Sequence, residues 1–372
     1  MDTPRPAWID TAEVGVPPLS SLRDPATAEV CVIGLGASGL AAARRLAERG
    51  ADVLALDAVG IAAGAAGANG GFLLAGTALF HHDAVRRLGR ERTLVLHRAT
   101  VEELEHTAAE EPSVRRTGSL RIAADDAELA DIGQHVVAMR ADGLPAEEYS
   151  GPEGAGLLVP GDAVFQPADR CRRLARAAMT AGARLVAPVR VASILTEHDR
   201  VELTTDAAPI VARRVIVAVD GGLEELLEEL ADEVVTHRLQ MLATGPDEDV
   251  TLTRPVYRRW GWDYVQQLDT GEVLLGGGRD VDDDVTGDAV PSTPVQEHLD
   301  RELVRLGVTA PVTHRWAAHA AFTEDRLPIC REVRPNVLVV GAYSGHGNLV
   351  GPLLARRAAD VALDAGALTL PA

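Results

Sequence analysis

The chain contains no lysine: all 36 of its basic residues are arginine. Schiff-base catalysis by a side-chain amine and phosphate binding by a P-loop lysine are therefore excluded. Cysteine is scarce, and Cys31, Cys171 and Cys330 lie far apart in apolar or helical settings, which fits reduced thiols in a cytosol better than a disulfide framework or a metal set. No metal is expected. Aromatic residues make up only 3% of the chain, so any local concentration of them carries information. No apolar run reaches membrane-spanning length, and the first 24 residues, with Pro4, Pro6, Pro17 and Pro18, lack the cationic and apolar regions of a signal peptide. A cytoplasmic protein is the expectation. A formal charge of −19 argues against nucleic acid and anionic membranes as partners.

What the chain does contain begins at residue 29. Glu29–Ile33 is a short apolar run followed by Gly34-Leu-Gly36-Ala37-Ser38-Gly39, and Ser38–Arg49 reads as a helix whose apolar face is Leu40, Ala43 and Leu46. Gly50 suits a left-handed C-cap, and Val53–Leu56 is the next strand. Gly34 permits a tight turn, Gly36 lets backbone amides approach a pyrophosphate at the helix start, and Gly39 lets helix and strand pack closely. Asp57 stands 18 residues after Gly39, a spacing that suits an acid bonding ribose hydroxyls. With Ala37, Ser38 and Ala58 beside them, these residues form a candidate dinucleotide site.

At 372 residues two domains are the default. The Gly- and Ala-rich stretch Gly60–Gly76 is too long for an ordinary connection and reads as a cofactor loop. One long helix is predicted over Ala84–Glu110, a second over Asp126–Arg140 and a third over Pro167–Ala181, after which strand-like runs return up to Val219. From Val234 to Gly278 the pattern is β-rich, with Tyr257, Trp260, Trp262 and Tyr264 within eight residues. Val337–Val340 is a buried strand and Asn348–Leu363 a closing helix. Nucleotide-type elements thus sit at both ends and in the middle, so the domains are expected to be discontinuous.

Four segments in this order resemble the FAD-dependent amino acid and amine oxidoreductases of the D-amino acid oxidase, glycine oxidase and sarcosine oxidase superfamily. They are the glycine fingerprint with Asp57; Gly64-Ala-Ala-Gly-Ala-Asn69-Gly70-Gly71-Phe72; Arg214-Val-Ile-Val-Ala-Val-Asp220-Gly221; and Thr323-Glu-Asp325-Arg-Leu-Pro328 with Gly341-Ala-Tyr-Ser344-Gly345-His346-Gly347-Asn348. The second segment is similar to the subgroup oxidising polyamine derivatives such as γ-glutamylputrescine. The resemblance implies an α/β fold: a Rossmann-like FAD-binding domain (25–80, 152–225 and 325–372), a mainly antiparallel β-sheet substrate domain flanked by helices (81–151 and 226–324), and an N-terminal extension (1–24). It also implies that Asn69, Gly70 and Gly71 turn backbone amides to the flavin and that backbone groups of Val189 meet the adenine. Ser344, Gly345, His346, Gly347 and Asn348 would open the last helix beneath the pyrimidine end of the flavin.

Three departures from the family pattern bear on function. Ala66 and Ala68 stand where related loops carry serine and arginine, which removes two polar anchors. Ala318 stands where sarcosine oxidases attach flavin through cysteine, so FAD is expected to be noncovalent. Ala320 occupies the place of the arginine that clamps a substrate carboxylate, leaving either Arg259 or Arg279 for that task or a substrate without a carboxylate at its reacting carbon. The reaction implied is oxidation of a C–N bond of a small amine or amino acid, with hydride passing to flavin N5 and electrons leaving to O2 or another acceptor. Tyr257, Arg259, Tyr264, Arg279 and His346 are the candidate catalytic positions. Two alternatives stay open: an NAD(P)-dependent dehydrogenase, and a catalytically weakened flavin-binding paralogue. The oligomeric state is not legible.

Overall fold

This computed structural model describes residues 5–284, 286–364 and 366–371. Positions 1–4 of the expected extension, position 285 of the expected substrate domain and positions 365 and 372 of the expected FAD-binding domain lie outside the described residues.

In chain order, α1 (Ala7–Asp10) precedes β1 (Ala26–Ile33), α2 (Ala37–Glu48) and β2 (Val53–Leu56). The Ala/Gly stretch holds α3 (Ala65–Ala68) and β3 (Phe72–Leu73), and α4 (His81–Leu88) and α5 (Arg90–Glu110) follow. Next come β4 (Ser119–Ile122), α6 (Asp126–Ala141), β5 (Glu147–Gly151), β6 (Gly154–Val159), β7 (Ala163–Val164) and α7 (Pro167–Thr180). Strands β8 (Arg184–Val186), β9 (Val191–Glu197), β10 (Arg200–Thr205) and β11 (Ile210–Val217) lead through α8 (Leu223–Leu226) to β12 (Val234–Pro246). The remainder is β13 (Val256–Arg258), β14 (Asp263–Gln267), β15 (Glu272–Gly277), α9 (Thr293–Leu306), β16 (Val312–Thr323), β17 (Ile329–Arg334), β18 (Val337–Gly341) and α10 (Gly347–Asp364). The single helix predicted over Ala84–Glu110 is two helices, because Gly89 adopts φ 82° and breaks the ladder between them. The β5–β6 hairpin escaped the sequence reading, since Glu147–Gly151 is exposed, polar and without apolar alternation. Among the described residues no helix is long and apolar enough to cross a membrane.

The described residues form two compact units. The first comprises Ala12–Gly67, Pro167–Thr236 and His319–Ala372. Its sheet runs β17-β18-β11-β1-β2-β8, with β1, β2, β8, β11 and β18 parallel and β9 and β10 added antiparallel at β11. Val30–Ile33 and all of β2 are buried, the continuous apolar pattern of strands covered on both faces. Leu40 and Leu46 of α2, Ala175 of α7 and Leu354 and Ala358 of α10 close one face; Leu223, Leu227 and Leu230 pack with the other. The chain leaves β1 for β2 on one side while β11 lies on the other, so the glycine turn sits where the strand order reverses.

The second unit comprises the described residues of Met1–Thr11, with Ala68–Gln166 and His237–Ala318. Its sheet order is β16-β12-β15-β14-β13-β4-β6-β5, antiparallel apart from the β4–β13 pair. The unit boundaries depart from the expected ones in ways that local contacts explain. Residues 68–80 and 152–166 belong to this unit because β3 pairs with β7 and Asp162 holds both Ala75 N (3.1 Å) and Ser119 Oγ (2.5 Å). Residues 5–11 of the expected extension belong here as well, through the fully buried Trp8, and residues 12–24 belong to the first unit.

In the first unit, α2 and α10 lie close enough that a side chain on Gly351 would collide with Ser38 Oγ. Pro352 has no N–H to give the Asn348 carbonyl one turn back; the buried Arg170 supplies that donor, Nη1 to O at 2.6 Å. Arg170→Leu is expected to lower unfolding free energy by about 2 kcal/mol, the worth of a buried hydrogen bond from a charged donor. Urea denaturation followed by tryptophan fluorescence measures it, and an unchanged midpoint would show that the carbonyl needs no such partner.

Candidate functional site

In the first unit the turn after β1 is shaped by what cannot fit there. Gly34 has φ 112° and a Cβ on it would stand 2.6 Å from the Ala218 carbonyl oxygen; a Cβ on Gly39 would drive into the Gly34 carbonyl. A Cβ on Gly36 would meet only the Ala66 methyl, at 3.2 Å. Gly36 is also the N-cap of α2, which begins without a capping side chain, so the positive end of a 12-residue helix opens at the one glycine of the three where a Cβ would meet no backbone atom. Ala37 and Ser38 form that first turn. Asp57 is fixed beside it: Oδ2 accepts from Leu35 N at 2.9 Å, and Oδ1 accepts from Val59 N at 2.8 Å and Gly60 N at 2.9 Å. Its carbonyl accepts from Val189 N at 2.8 Å. The Val189 amide is thus committed within the fold, which leaves its carbonyl as the backbone group available for the expected ligand contact.

The Ser344–Asn348 segment is strained. Ala342, Ser344 and Gly345 have φ of 53°, 52° and 84°, which costs energy at the two residues that carry a Cβ. Surrounding hydrogen bonds impose it: the Asp220 carboxylate accepts from Tyr343 N (3.1 Å) and Ala321 N (3.2 Å), Ser344 N donates to Ala321 O (3.0 Å), and His346 N donates to Tyr343 O (2.9 Å). Burial pushes the Asp220 carboxyl up to about 6 despite these bonds. Tyr343 Oη donates to Ser38 Oγ at 3.0 Å and links the turn before α10 to the first turn of α2.

In the second unit, three successive carbonyls of the loop at 68–70 are each capped by a side-chain donor. Ala68 O accepts from Trp316 Nε1 (2.9 Å), Asn69 O from Trp8 Nε1 (2.7 Å) and Gly70 O from Gln266 Nε2. The sequence reading missed all three donors; that two of the chain's four tryptophans serve this loop is visible only in the fold. Gly71 N donates to Asn69 Oδ1 at 2.8 Å, so this amide is not turned outward as expected. Glycine at 70 and 71 has a local cause: a Cβ would stand 3.1 Å from the Tyr264 ring at the first, and 2.8 Å from Trp8, Gln266 and the Phe165 carbonyl at the second.

Strand parity then divides the neighbouring sheet. Leu120, Ile122, Val256 and Val265 pack with Val295 and Leu299 of α9 on one face. Residues of opposite parity, Arg121, Tyr257, Tyr264 and Gln266, belong to the other. There Phe72 meets Tyr257 and Tyr264 edge-on, with ring centroids 5.2 and 6.0 Å apart, and Tyr257 pairs with Tyr264 across the strands. Burial raises both phenols above their ordinary range.

The other aromatic and cationic candidates have partners of their own. Trp260 is exposed and donates to Asp131 at 2.8 Å, and Trp262 lies under the Arg279 guanidinium, 4.6 Å from its ring centroid. Arg259 is neutralised by Asp263 (3.0 Å) and Asp280, so it is spent on the ion pairs of a turn in which Arg259, Trp260 and Gly261 all have positive φ. Buried Glu128 holds that turn by accepting from Arg259 N and Trp260 N. Asp263, His298 and Glu302 have ligand atoms within 4.8 Å of one another, but Arg259 pairs with Asp263 and Arg258 and Arg305 pair with Glu302, which opposes a cation.

A parallel sheet with a glycine turn and open helix start at its reversal point, beside a fixed acid, defines the class of dinucleotide-binding α/β proteins. The chain belongs to the DAO family of FAD dependent oxidoreductases, whose model matches residues 29–361. It is 27% identical to a probable oxidoreductase, OrdL, of Rhizobium meliloti, over 97% of this chain and 89% of that protein. It is 26% identical to the gamma-glutamylputrescine oxidoreductase of Escherichia coli, over 91% of this chain and 85% of that protein. In fold it matches glycine oxidase from Geobacillus kaustophilus with a TM-score of 0.74 at 21% identity, covering 91% of this chain and 95% of the other. The family's FAD dependence displaces the nicotinamide alternative.

Asp162, which ties β4 to the segment after β3, is a second buried acid whose carboxyl burial pushes up to about 6, against the hydrogen bonds from Ser119 and Ala75. A solvated aspartate releases its proton near 4, so folding takes up a proton between about pH 4 and 6 and stability falls as pH rises through that window. Asp162→Asn keeps an acceptor for Ala75 N and removes this titration. Its stability loss relative to the parent should shrink by about 3 kcal/mol between pH 4 and pH 7. Chemical denaturation at several pH values tests this; a pH-independent difference would place the proton elsewhere.

Proposed function

We propose that the chain oxidises the C–N bond of a small amine or amino acid with noncovalently held FAD, giving an imine that water hydrolyses, and passes electrons to O2 or another acceptor. The observation that carries this reading is the open start of α2 at Gly36, with Asp57 fixed beside it and Tyr343 tying α10 to it. The names of its relatives, one for γ-glutamylputrescine and one for glycine, favour an amine or amino acid as donor. FAD, when bound, supplies the acceptor for a hydride equivalent from the carbon beside nitrogen.

The chain's own residues supply binding and orientation. Gly34, Gly36, Ala37, Ser38 and Gly39 receive a pyrophosphate on the α2 amides, Asp57 and Ala58 meet the adjacent ribose, and the Val189 carbonyl faces the adenine. Ser344 to Asn348 lead into the start of α10, with His346 immediately before its first turn, a positive end suited to charge gathering on the pyrimidine edge. Asn69 and Gly70 contribute a backbone surface held rigid by Trp8, Trp316 and Gln266. Tyr257 and Tyr264 present an aromatic wall to the donor. The cysteines support noncovalent retention: all three are buried, and burial pushes Cys31 and Cys330 up to about 12, far from the thiolate form that attachment through cysteine needs.

The purified protein is expected to be yellow, to release its FAD into the supernatant on acid precipitation, and to bleach anaerobically with at least one member of a panel of amines, N-methyl amino acids and amino acids. Gly36→Val should lose the flavin while the fold persists. A preparation that stays colourless after incubation with FAD would overturn the reading.

A further inference from the structure

Arg121 stands apart from the arginines around it. It lies on β4 directly across from Tyr257 of β13, on the same strand parity as Tyr257, Tyr264 and Gln266. Its guanidinium carbon is 5.6 Å from the ring centroid of Tyr257 and 5.6 Å from that of Phe80, a cation set between two aromatic faces. Among the described residues its guanidinium forms no hydrogen bond and no ion pair, and its Nε is buried without an acceptor. A buried donor left unmet costs about 1 to 3 kcal/mol, a cost that an oxygen acceptor from outside the chain would offset.

The neighbouring charges do not supply one. Asp162 feels the Arg121 charge, but its oxygens are held by Ser119 Oγ and Ala75 N. His81 is paired with Asp142 and His82 with Asp131, so those carboxylates are engaged as well. His135, stacked on Phe80, is kept neutral by burial and by Arg121 itself. Phe72, which touches Tyr257, joins this group to the Asn69–Gly71 loop.

We propose that Arg121 is the substrate-recognising cation of this enzyme and takes a carboxylate of an amine substrate as a planar fork between Phe80 and Tyr257. The proposal rests on the C–N oxidation reading and sharpens it. Ala320 left open whether another arginine takes the carboxylate or the substrate has none at its reacting carbon; Arg121 assigns the carboxylate to a different strand. A guanidinium fork fits two carboxylate oxygens at once, and its aromatic flanks exclude water that would otherwise compete.

The test uses the FAD-loaded protein, Arg121→Met and Arg121→Lys, with flavin content and circular dichroism as checks on folding. Calorimetric titration compares benzoate with benzamide, and anaerobic flavin reduction compares glycine with methylamine and γ-aminobutyrate with butylamine. The parent should bind benzoate at least about tenfold more tightly than benzamide, Arg121→Met should abolish that ratio, and Arg121→Lys, which keeps charge without the fork, should fall between. In reduction, the carboxylate-bearing member of one pair should lead by at least about tenfold in kcat/KM and lose its lead in Arg121→Met. The pair that shows the lead tells whether the carboxylate sits on the reacting carbon or at a distance. Equal benzoate and benzamide affinity in the parent, or a preference untouched in a folded Arg121→Met, overturns the proposal; should Arg121→Met not fold, an unchanged ratio in Arg121→Lys does so. If no amine or amino acid reduces the flavin but the benzoate preference follows Arg121, the anion site stands and the C–N oxidation reading falls.

Discussion

The first unit depends on how closely a helix can start against the end of a strand. With any side chain at residue 39, α2 would be pushed off the Gly34 carbonyl, and Leu35 N would leave the Asp57 carboxylate that it holds at 2.9 Å. The consequences spread from there. Ser38, in the first turn of α2, accepts from Tyr343 and faces Gly351, so the position of α10 is referred to α2 through one hydroxyl and one missing Cβ. A displacement of a few tenths of an ångström at residue 39 would therefore reach the Ala342–Gly345 turn. That turn is already strained and tolerates little further cost. Close packing at a glycine is what lets two helix starts lie together.

The second unit solves a different problem, that of holding an irregular loop still. Glycine-rich backbone is flexible by nature, and ordering it costs more entropy per residue than any other sequence. Here the loss is offset by giving each of three consecutive carbonyls its own buried or half-buried donor, two of them indole nitrogens that cannot rotate away without unpacking a large ring. Ala68 is buried, with its carbonyl on Trp316. Rigidity in this chain comes from neighbouring elements, from Trp8 far before the loop and Trp316 far after it.

Where a signal is local, the sequence carried it. The glycine spacing, Asp57, the buried runs of β1 and β2 and the helical starts at Asp126 and Pro167 all depend on residues within a few positions of one another, so composition and periodicity reveal them. Gly89 as a helix break and the exposed β5 strand did not stand out, because one glycine in a helical pattern is ambiguous and a solvated strand has no apolar rhythm. The site was less legible than the fold. Val189 and Gly71 fit the family pattern by position, yet their amides are used inside the chain, by the Asp57 carbonyl and the Asn69 side chain. Trp8, Trp316 and Gln266 carry no motif at all; only the folded sheet brings them to one loop.

The choice between Arg259 and Arg121 shows why charge alone cannot be read along a chain. Arg259 lies two residues from Tyr257 in sequence, and proximity made it the natural clamp. In space it sits in a turn with Asp263 and Asp280, and a guanidinium already facing two carboxylates has little field left for a third. Arg121 is 136 positions away from Tyr257 and directly beside it, because β4 and β13 run parallel in register. In a chain with 55 acidic residues and no lysine, an arginine finds a carboxylate partner almost by default. Arg305, Arg315, Arg331 and Arg334 all have one. Against that background the informative cation is Arg121, which the fold flanks with aromatic rings and, among the described residues, leaves without a carboxylate, a cost to stability that a bound carboxylate would offset.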